Sequence, residues 1–241
     1  MSELYNTASP AHVDRADADI ARSGNYRRLA AIATADTSSV KTAAAASVVS
    51  RIARNDADIA RKAGLLELSM LPRTGYRGVS TTDLLAQNGM PIPARPNTAA
   101  SSANGDCILR LSQKEYWLLG SPTDLGAAIM ALPTQQSDTP DRCYPLFCMD
   151  SHAWLMLTGE HMAAVMAKIC GVDMREAVFP EGSIAQTSIA RVNAIMVRQS
   201  YQGLPAISIL CDVASSDYLW TALMDAVQEF GGGAVGLDVL G

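Results

Sequence analysis

From residue 64 onward the chain breaks into short apolar runs punctuated by Gly, Pro, Asn and Ser, the pattern of strands joined by turns. "LLELSML" at 65–71 predicts a strand, and "TGYRGVS" a turn with a short strand. Ser80 with Asp83 three residues on reads as a capping box that opens a helix over "TTDLLAQN", which Gly89 closes. A Pro-rich loop at 90–106 leads into "CILRL" and "EYWLLG", two strands around the turn "SQK". Thr123 begins another helix running to Leu132, and the polar, Pro-bounded stretch 133–142 reads as a linker. Beyond it, "CYPLFCMD" and "AWLMLTG" predict strands, followed by a helix at 160–170 with Met162, Val165, Met166 and Ile169 on one face. "SIAQTSIAR", "AIMVRQ" and "PAISILCDV" are three further strands. A closing helix from Ser215–Ser216 turns Leu219, Leu223, Val227 and Phe230 inward.

Both halves thus run strand, strand, helix, loop, strands, helix. That order predicts an α+β fold of two related halves, each an antiparallel sheet covered by helices, over 64–132 and 143–241. A doubly wound parallel sheet would alternate strand and helix more strictly. Residues 1–63 differ in texture: they are rich in Ala, Asp and Arg, and "DADIAR" occurs at both 17–22 and 56–61. Over 40–66, Val48, Ile52, Ile59 and Leu66 fall on one helical face, and "DTSS" at 36–39 offers an N-cap. So thin a stripe folds only against something else, which makes 1–63 a helical arm suited to docking on a partner.

The 241 residues can bury a core in either one or two domains, and 49% hydrophobic with 18% charged residues is ordinary for a globular protein. Nineteen basic against 24 acidic residues, net −5, argue against a nucleic-acid binder. Residues 1–62 carry +2 and the remainder −7, an asymmetry that fits a separate task for the arm. The start of the chain has no apolar segment of signal-peptide type, and no apolar run approaches the ~20 residues of a membrane span. The expectation is a cytoplasmic protein with neither a membrane nor a nucleic-acid partner.

Candidate chemistry is sparse. Cys107, Cys143, Cys148, Cys170 and Cys211 form no Cys-x-x-Cys pair and read as reduced, mostly buried thiols. "FGGGAVG" spaces Gly231, Gly233 and Gly236 as G-x-G-x-x-G, yet a helix precedes it and only five residues follow, so a helix stop and a last short strand, "VGLDVL", are expected instead of a dinucleotide loop. In "DSH", Asp150, Ser151 and His152 are adjacent and cannot form a hydrolase triad; His152 and His161 lack further ligands at zinc spacing. Tyr116, Trp117 and Trp154 read as strand core residues. No catalytic residue and no metal ligand is therefore assigned.

Two blocks carry a resemblance. The first runs from "GLLELSMLPRTGYRGVSTTDLLAQNG" to "LSQKEYWLLG"; the second is "DSHAWLMLTGEHMAAVMAKICGVDMREAVFPEGSIAQTSIARVNAIMVR", with the tail "YLWTALMDAVQEFGGGAVGLDVL". Together they resemble the gamma subunits of heterotetrameric sarcosine oxidases and of N-methylglutamate dehydrogenases, which are similar in fold to the folate-binding aminomethyltransferases of glycine cleavage. The resemblance spans 64–241 and implies a non-catalytic accessory subunit of a flavin-dependent N-methyl amine oxidase or dehydrogenase. Its partners would be alpha, beta and delta subunits, carrying FAD, FMN, NAD, tetrahydrofolate and zinc, with no cofactor on this chain.

In the true aminomethyltransferases the strand after the first long loop carries an acidic pair. Here that strand reads Ile108-Leu109-Arg110-Leu111, and Asp106 lies before it, so methylene transfer has no evident acid–base group. The alternative, a free-standing tetrahydrofolate-dependent aminomethyl or methyl transferase, needs such a group. The 63-residue arm is longer than the resemblance leads one to expect.

Within "VFPEGSIAQTSIARVNAIMVRQS", Pro180 and Gly182 shape a turn, and Ile184, Ile189, Val192, Ile195 and Val197 are candidates for burial. Gln186, Thr187, Arg191 and Arg198 are the candidates for contact with a partner, the two arginines because they fall out of step with the apolar residues of their strands.

Overall fold

A computed structural model describes residues 56–240. A helix, α1 (Asp56–Ala63), leads directly into β1 (Gly64–Glu67). There follow β2 (Arg73–Gly78), α2 (Thr81–Gln87), β3 (Thr98–Ser101), β4 (Cys107–Arg110), β5 (Glu115–Leu119), α3 (Ala127–Met130) and β6 (Cys143–Leu146). The remainder comprises α4 (Cys148–Ser151), β7 (His152–Thr158), α5 (Met162–Ile169), β8 (Ile184–Ile189), β9 (Val192–Tyr201), β10 (Leu204–Asp212), α6 (Ser216–Gln228) and β11 (Gly233–Ala234).

The strands form two sheets, one in the order β11-β1-β7-β10-β9-β8 and the other in the order β3-β4-β5-β2-β6. Every pairing is antiparallel except β1 with β11. The expected α+β class, with helix-covered antiparallel sheets, stands. The sequence halves also exchange a strand: β1 joins the six-stranded sheet of the later strands, and β6 joins the five-stranded sheet of the earlier ones.

Three cores make this a four-layer sandwich. Met162, Val165 and Met166 of α5 and Leu219, Leu223 and Val227 of α6 cover Leu155, Leu157, Met196, Ile207 and Ile209 on the outer face of the larger sheet. Leu84 and Leu85 of α2, with Ile129 and Leu132, cover Tyr76, Ile108, Tyr116 and Leu118 on the outer face of the smaller. Between the sheets lie Leu66, Leu109, Trp117, Leu119, Trp154, Met156, Val197 and Leu210. Successive residues of a strand point to opposite faces, so both parities must be apolar when both faces are buried. "AWLMLT" in β7 is the clearest case: Ala153, Leu155 and Leu157 face the helices, while Trp154 and Met156 face the other sheet.

The sheets are tied at their edges. Ala99 N–H donates to Gly182 O (2.7 Å) and Ile184 N–H to Asn97 O (3.1 Å), around a bridge of Thr98 with Ser183. Within the larger sheet, the last carbonyls of α1 are satisfied by the segment after β7: Glu160 N–H donates to Arg61 O (2.8 Å) and His161 N–H to Lys62 O (3.0 Å). That approach needs Gly159: its φ is 99°, and a Cβ there would sit 2.6 Å from the carbonyl oxygens of Ala60 and Lys62.

Several local expectations change. The predicted helical stripe ends at Ala63, so Leu66 is a strand residue; Val48, Ile52, the "DTSS" cap and the first "DADIAR" lie outside the described residues. Ser80 precedes α2, but its side chain makes no capping bond. The helix expected from Thr123 shrinks to α3, because Leu125 (φ 54°) and Gly126 (φ 73°) are left-handed. "CYPLFCMD" is a strand only to Leu146 and then turns into α4. The final "VGLDVL" is not a strand: Val235 N–H still reaches Leu65 O (3.0 Å), then Gly236 N–H turns to the Asp56 carboxylate (3.1 Å) and Leu237–Leu240 coil into a 3-10 turn. Among the buried candidates of 184–197, Ile184, Ile189 and Val197 are buried while Val192 and Ile195 are half-buried.

Two substitutions test this packing. Trp154 is fully buried and donates to Ser208 Oγ (2.9 Å), so Trp154→Ala is expected to cost about 3–5 kcal/mol in urea unfolding. The β8–β9 hairpin turns through Ala190 (φ 46°) and Arg191 (φ 71°), two non-glycine residues in the left-handed region. The double change Ala190→Asn and Arg191→Gly is expected to raise stability by about 1 kcal/mol in the same experiment.

Candidate functional site

The strand that the acid–base argument turns on is β4. Cys107, Leu109 and Leu111 face the other sheet, while Ile108 faces the outer helices. Arg110 lies over the Tyr116 ring (5.4 Å to its centre) and donates to the carbonyls of Pro93 (3.0 Å) and Ala94 (3.2 Å). Asp106, just before the strand, is buried, and both oxygens are engaged: Oδ1 accepts from Ser121 N–H (2.9 Å) and Oδ2 from Ser102 Oγ (3.2 Å). It closes a turn and presents no free oxygen to a ligand. Glu115, at the start of β5, is likewise held, by Trp117 Nε1–H (3.1 Å) and by the Arg77 guanidinium (2.6 Å).

Deep between the sheets a run of buried polar groups forms a chain of hydrogen bonds. Trp154 Nε1–H donates to Ser208 Oγ, Ser208 Oγ donates to Gln199 Oε1 (2.6 Å), and Gln199 Nε2 donates to Tyr201 Oη (3.1 Å). Burial pushes the Tyr201 phenol well above its ordinary value. These groups satisfy one another, as buried polar groups must. Next to them a cavity of about 240 Å³ is lined by Ala99, Ser101, Cys107, Glu181, Gly182, Arg198 and Gln199. That is below the roughly 300–1,000 Å³ that accommodates a drug-sized ligand. Its carboxylate, Glu181, is exposed and accepts from Ser200 Oγ (3.0 Å). A folate with an attendant acid does not fit this set of residues.

At one end of the interlayer core a second cavity, about 320 Å³, is lined by His152, Gln186, Thr187 and Asn193 over a floor of Ala194, Ile195 and Leu210. It gathers two of the four candidate partner residues. Gln186 Nε2 donates to Asn97 Oδ1 (2.8 Å) and Leu111 O (2.9 Å), so part of its work is to hold the two sheets together. Thr187 is half-buried, and Arg191 is exposed at the hairpin tip.

Arg198 corrects the expectation of exposure. Its side chain is only 8% accessible, donating to Met174 O (2.9 Å) with Glu176 at 3.5 Å. Alternation misled because the face it shares with Ala194 and Met196 is covered too, by the helices and the 171–182 loop.

Two residues take structural roles that the sequence did not assign to them. Arg73 is buried and donates to the carbonyls of Ser69 (2.8 Å), Leu71 (3.2 Å) and Met149 (3.1 Å), as well as that of His152. Burial lowers its guanidinium to about 10. It clamps the β1–β2 connection to the start of β7. No local motif signals this, because every partner is a main-chain carbonyl.

The other is His152. Its ring stands edge-on to Trp117 (centroids 4.6 Å apart, 82°), and its Nδ1 lies 2.8 Å from Ser151 Oγ. Ser151 Oγ–H donates to Phe147 O (3.1 Å), so the hydroxyl accepts from Nδ1–H, and the lone pair is on Nε2. This is no nucleophile pair: the hydroxyl proton is committed to the carbonyl of Phe147, and Asp150 and Ser151 are successive residues of α4. Burial also raises the thiols of Cys107 and Cys148 to about 12 and Cys211 to about 11, so none is a thiolate at neutral pH. Among the described residues no group of three His, Cys, Asp or Glu side chains is placed to hold a metal, and no helix is long and apolar enough to cross a membrane.

Residues 102–240 match the sequence profile of the GCVT N-terminal domain, more than half of the chain. The chain belongs to that family. Its fold is similar to a chain of the heterotetrameric sarcosine oxidase from Corynebacterium sp. U-96, solved in complex with pyrrole 2-carboxylate. The TM-score is 0.60 at 20% identity, over 89% of this chain and 98% of that one. It is also similar to the glycine cleavage system aminomethyltransferase T from Bartonella henselae, with a TM-score of 0.55 at 16% identity, over 77% of this chain and 51% of that one. This GCVT-domain chain therefore spans about half the length of the aminomethyltransferase. At these identities the likeness is one of fold. No protein of curated function matches the sequence.

His152 yields a pH test. Burial, more than the nearby Arg73, lowers its imidazole below the ordinary 6.5, with Asp212 opposing. Above 6.5 the group is neutral folded and unfolded; below it the unfolded chain takes up a proton before the folded one, so stability falls with acidification. The melting temperature is expected to drop between pH 7 and pH 5 by more in the wild type than in His152→Gln, with the two curves diverging only below about 6.5.

Proposed function

We propose that this chain is a non-catalytic accessory subunit of a multi-subunit flavin-dependent enzyme that oxidises an N-methyl amine. One observation carries the reading: the fold matches one chain of a heterotetrameric sarcosine oxidase almost end to end, 98% of it, but only 51% of a free-standing aminomethyltransferase. The residues of β4 agree with it. A folate-dependent transferase needs an acid–base group, and β4 offers none: Cys107, Leu109 and Leu111 pack between the sheets and Ile108 under the outer helices. In this reading the partners are alpha, beta and delta subunits, and they hold the FAD, FMN, NAD, tetrahydrofolate and zinc. Residues 1–63 serve as the docking arm, the two halves 64–132 and 143–241 form the buttress, and Gln186, Thr187 and Arg191 lie at or near contacts with a partner.

Native mass spectrometry on material purified from its own cells through a tag on this chain tests the proposal. The expected result is an assembly with three further chain types and bound flavin. A chain that purifies alone and colourless, or that oxidises an N-methyl amine without other subunits, contradicts it.

A further inference from the structure

At the end of the sandwich marked by His152, a run of pairings and contacts connects the rims of the two sheets. Tyr144 on the edge strand β6 pairs in register with Arg77 of β2. Arg77 bonds to Glu115, Glu115 accepts from Trp117, and Trp117 stacks edge-on against His152. His152 continues to Ser151 and the carbonyl of Phe147, and across the larger sheet it faces Asp212 in register. Two features of this rim are unusual for a free surface. Tyr144 is 55% and Phe147 71% exposed, in the manner of aromatic anchors awaiting a cover. Beside the cavity lining of Gln186, Thr187 and Asn193, two groups of this rim can accept: His152 at Nε2, and the carboxylate of Asp212, its register partner, of which Oδ1 already accepts from Ala214 N–H (2.8 Å).

The nearby cations are already engaged, Arg73 by main-chain carbonyls and Arg77 by Glu115; Arg191 sits at the tip of the neighbouring hairpin.

We propose that this mouth is a docking surface for a partner subunit, which lays an apolar segment over Tyr144 and Phe147 and directs an arginine or lysine side chain at His152 Nε2 and Asp212. The inference rests on the accessory-subunit reading and assigns it a surface. Charge selects this occupant. The chain beyond residue 62 carries −7, and a lone pair beside a carboxylate calls for a cationic donor. A second copy of the chain fits poorly, since a two-fold contact would set acceptors and like charges against themselves. The chain's own arm departs at Asp56, beside α1, whose Ala60 carbonyl accepts from Thr158 at the opposite end of β7.

Carbethoxylation with diethyl pyrocarbonate, read by mass spectrometry on the full chain alone and in the assembly captured from its own cells, tests the proposal. His161, near the far end of β7, is the internal control. His152 is expected to react about tenfold more slowly in the assembly than in the free chain, with His161 little changed. Phe147→Asp, at an exposed position that leaves the fold intact, is expected to cut the recovered assembly about tenfold. Asp212→Asn is expected to weaken it about tenfold at low salt and to flatten its salt dependence.

An intact assembly in which His152 reacts as in the free chain, or in which Phe147→Asp keeps its subunits, overturns the surface and leaves the accessory reading standing. Protection of His152 already in the free chain assigns the mouth to the chain's own arm or a second copy, and also overturns it. An unchanged salt response in Asp212→Asn overturns the cationic donor. A chain that captures no subunits overturns both readings.

Discussion

The structure depends on two sheets closing face to face on Trp154. An indole in the middle of an apolar layer brings a large buried area and one obligatory donor. Ser208, Gln199 and Tyr201 answer that donor in sequence, so the polar groups of this layer serve one another. The space between the sheets is thereby occupied by the chain's own side chains, and the two inter-sheet cavities described here open at its margins.

That interior moves any functional meaning outward. When both faces of both sheets are covered, what remains is edges, hairpin tips and the mouths of the sandwich. β4 makes the point: its inward residues pack and its one preceding acid closes a turn, whereas the rim around His152 keeps the exposed aromatics Tyr144 and Phe147.

The alternation of short apolar runs made most of the fold legible. The hairpin of β4 and β5, the strands β7 to β10 and the helices α5 and α6 follow directly from it, because each is long or strongly patterned. Where the sequence misled, a tertiary contact had overridden the local signal. Leu125 and Gly126 break a helix because the chain must turn there against Pro72, and a Cβ on Gly126 would meet that ring at 2.7 Å. Arg198 looked solvent-facing because alternation cannot distinguish water from a second packed layer. Arg73 and the tautomer of His152 were illegible in principle, since both depend on carbonyls brought near only by folding.

The proposed assignment of folate to a partner subunit instead of this chain is tested most directly by calorimetric titration of the isolated chain with tetrahydrofolate. The expected result is no heat of binding at micromolar to millimolar ligand. Saturable binding at one site per chain, abolished by a substitution between the sheets, would contradict it.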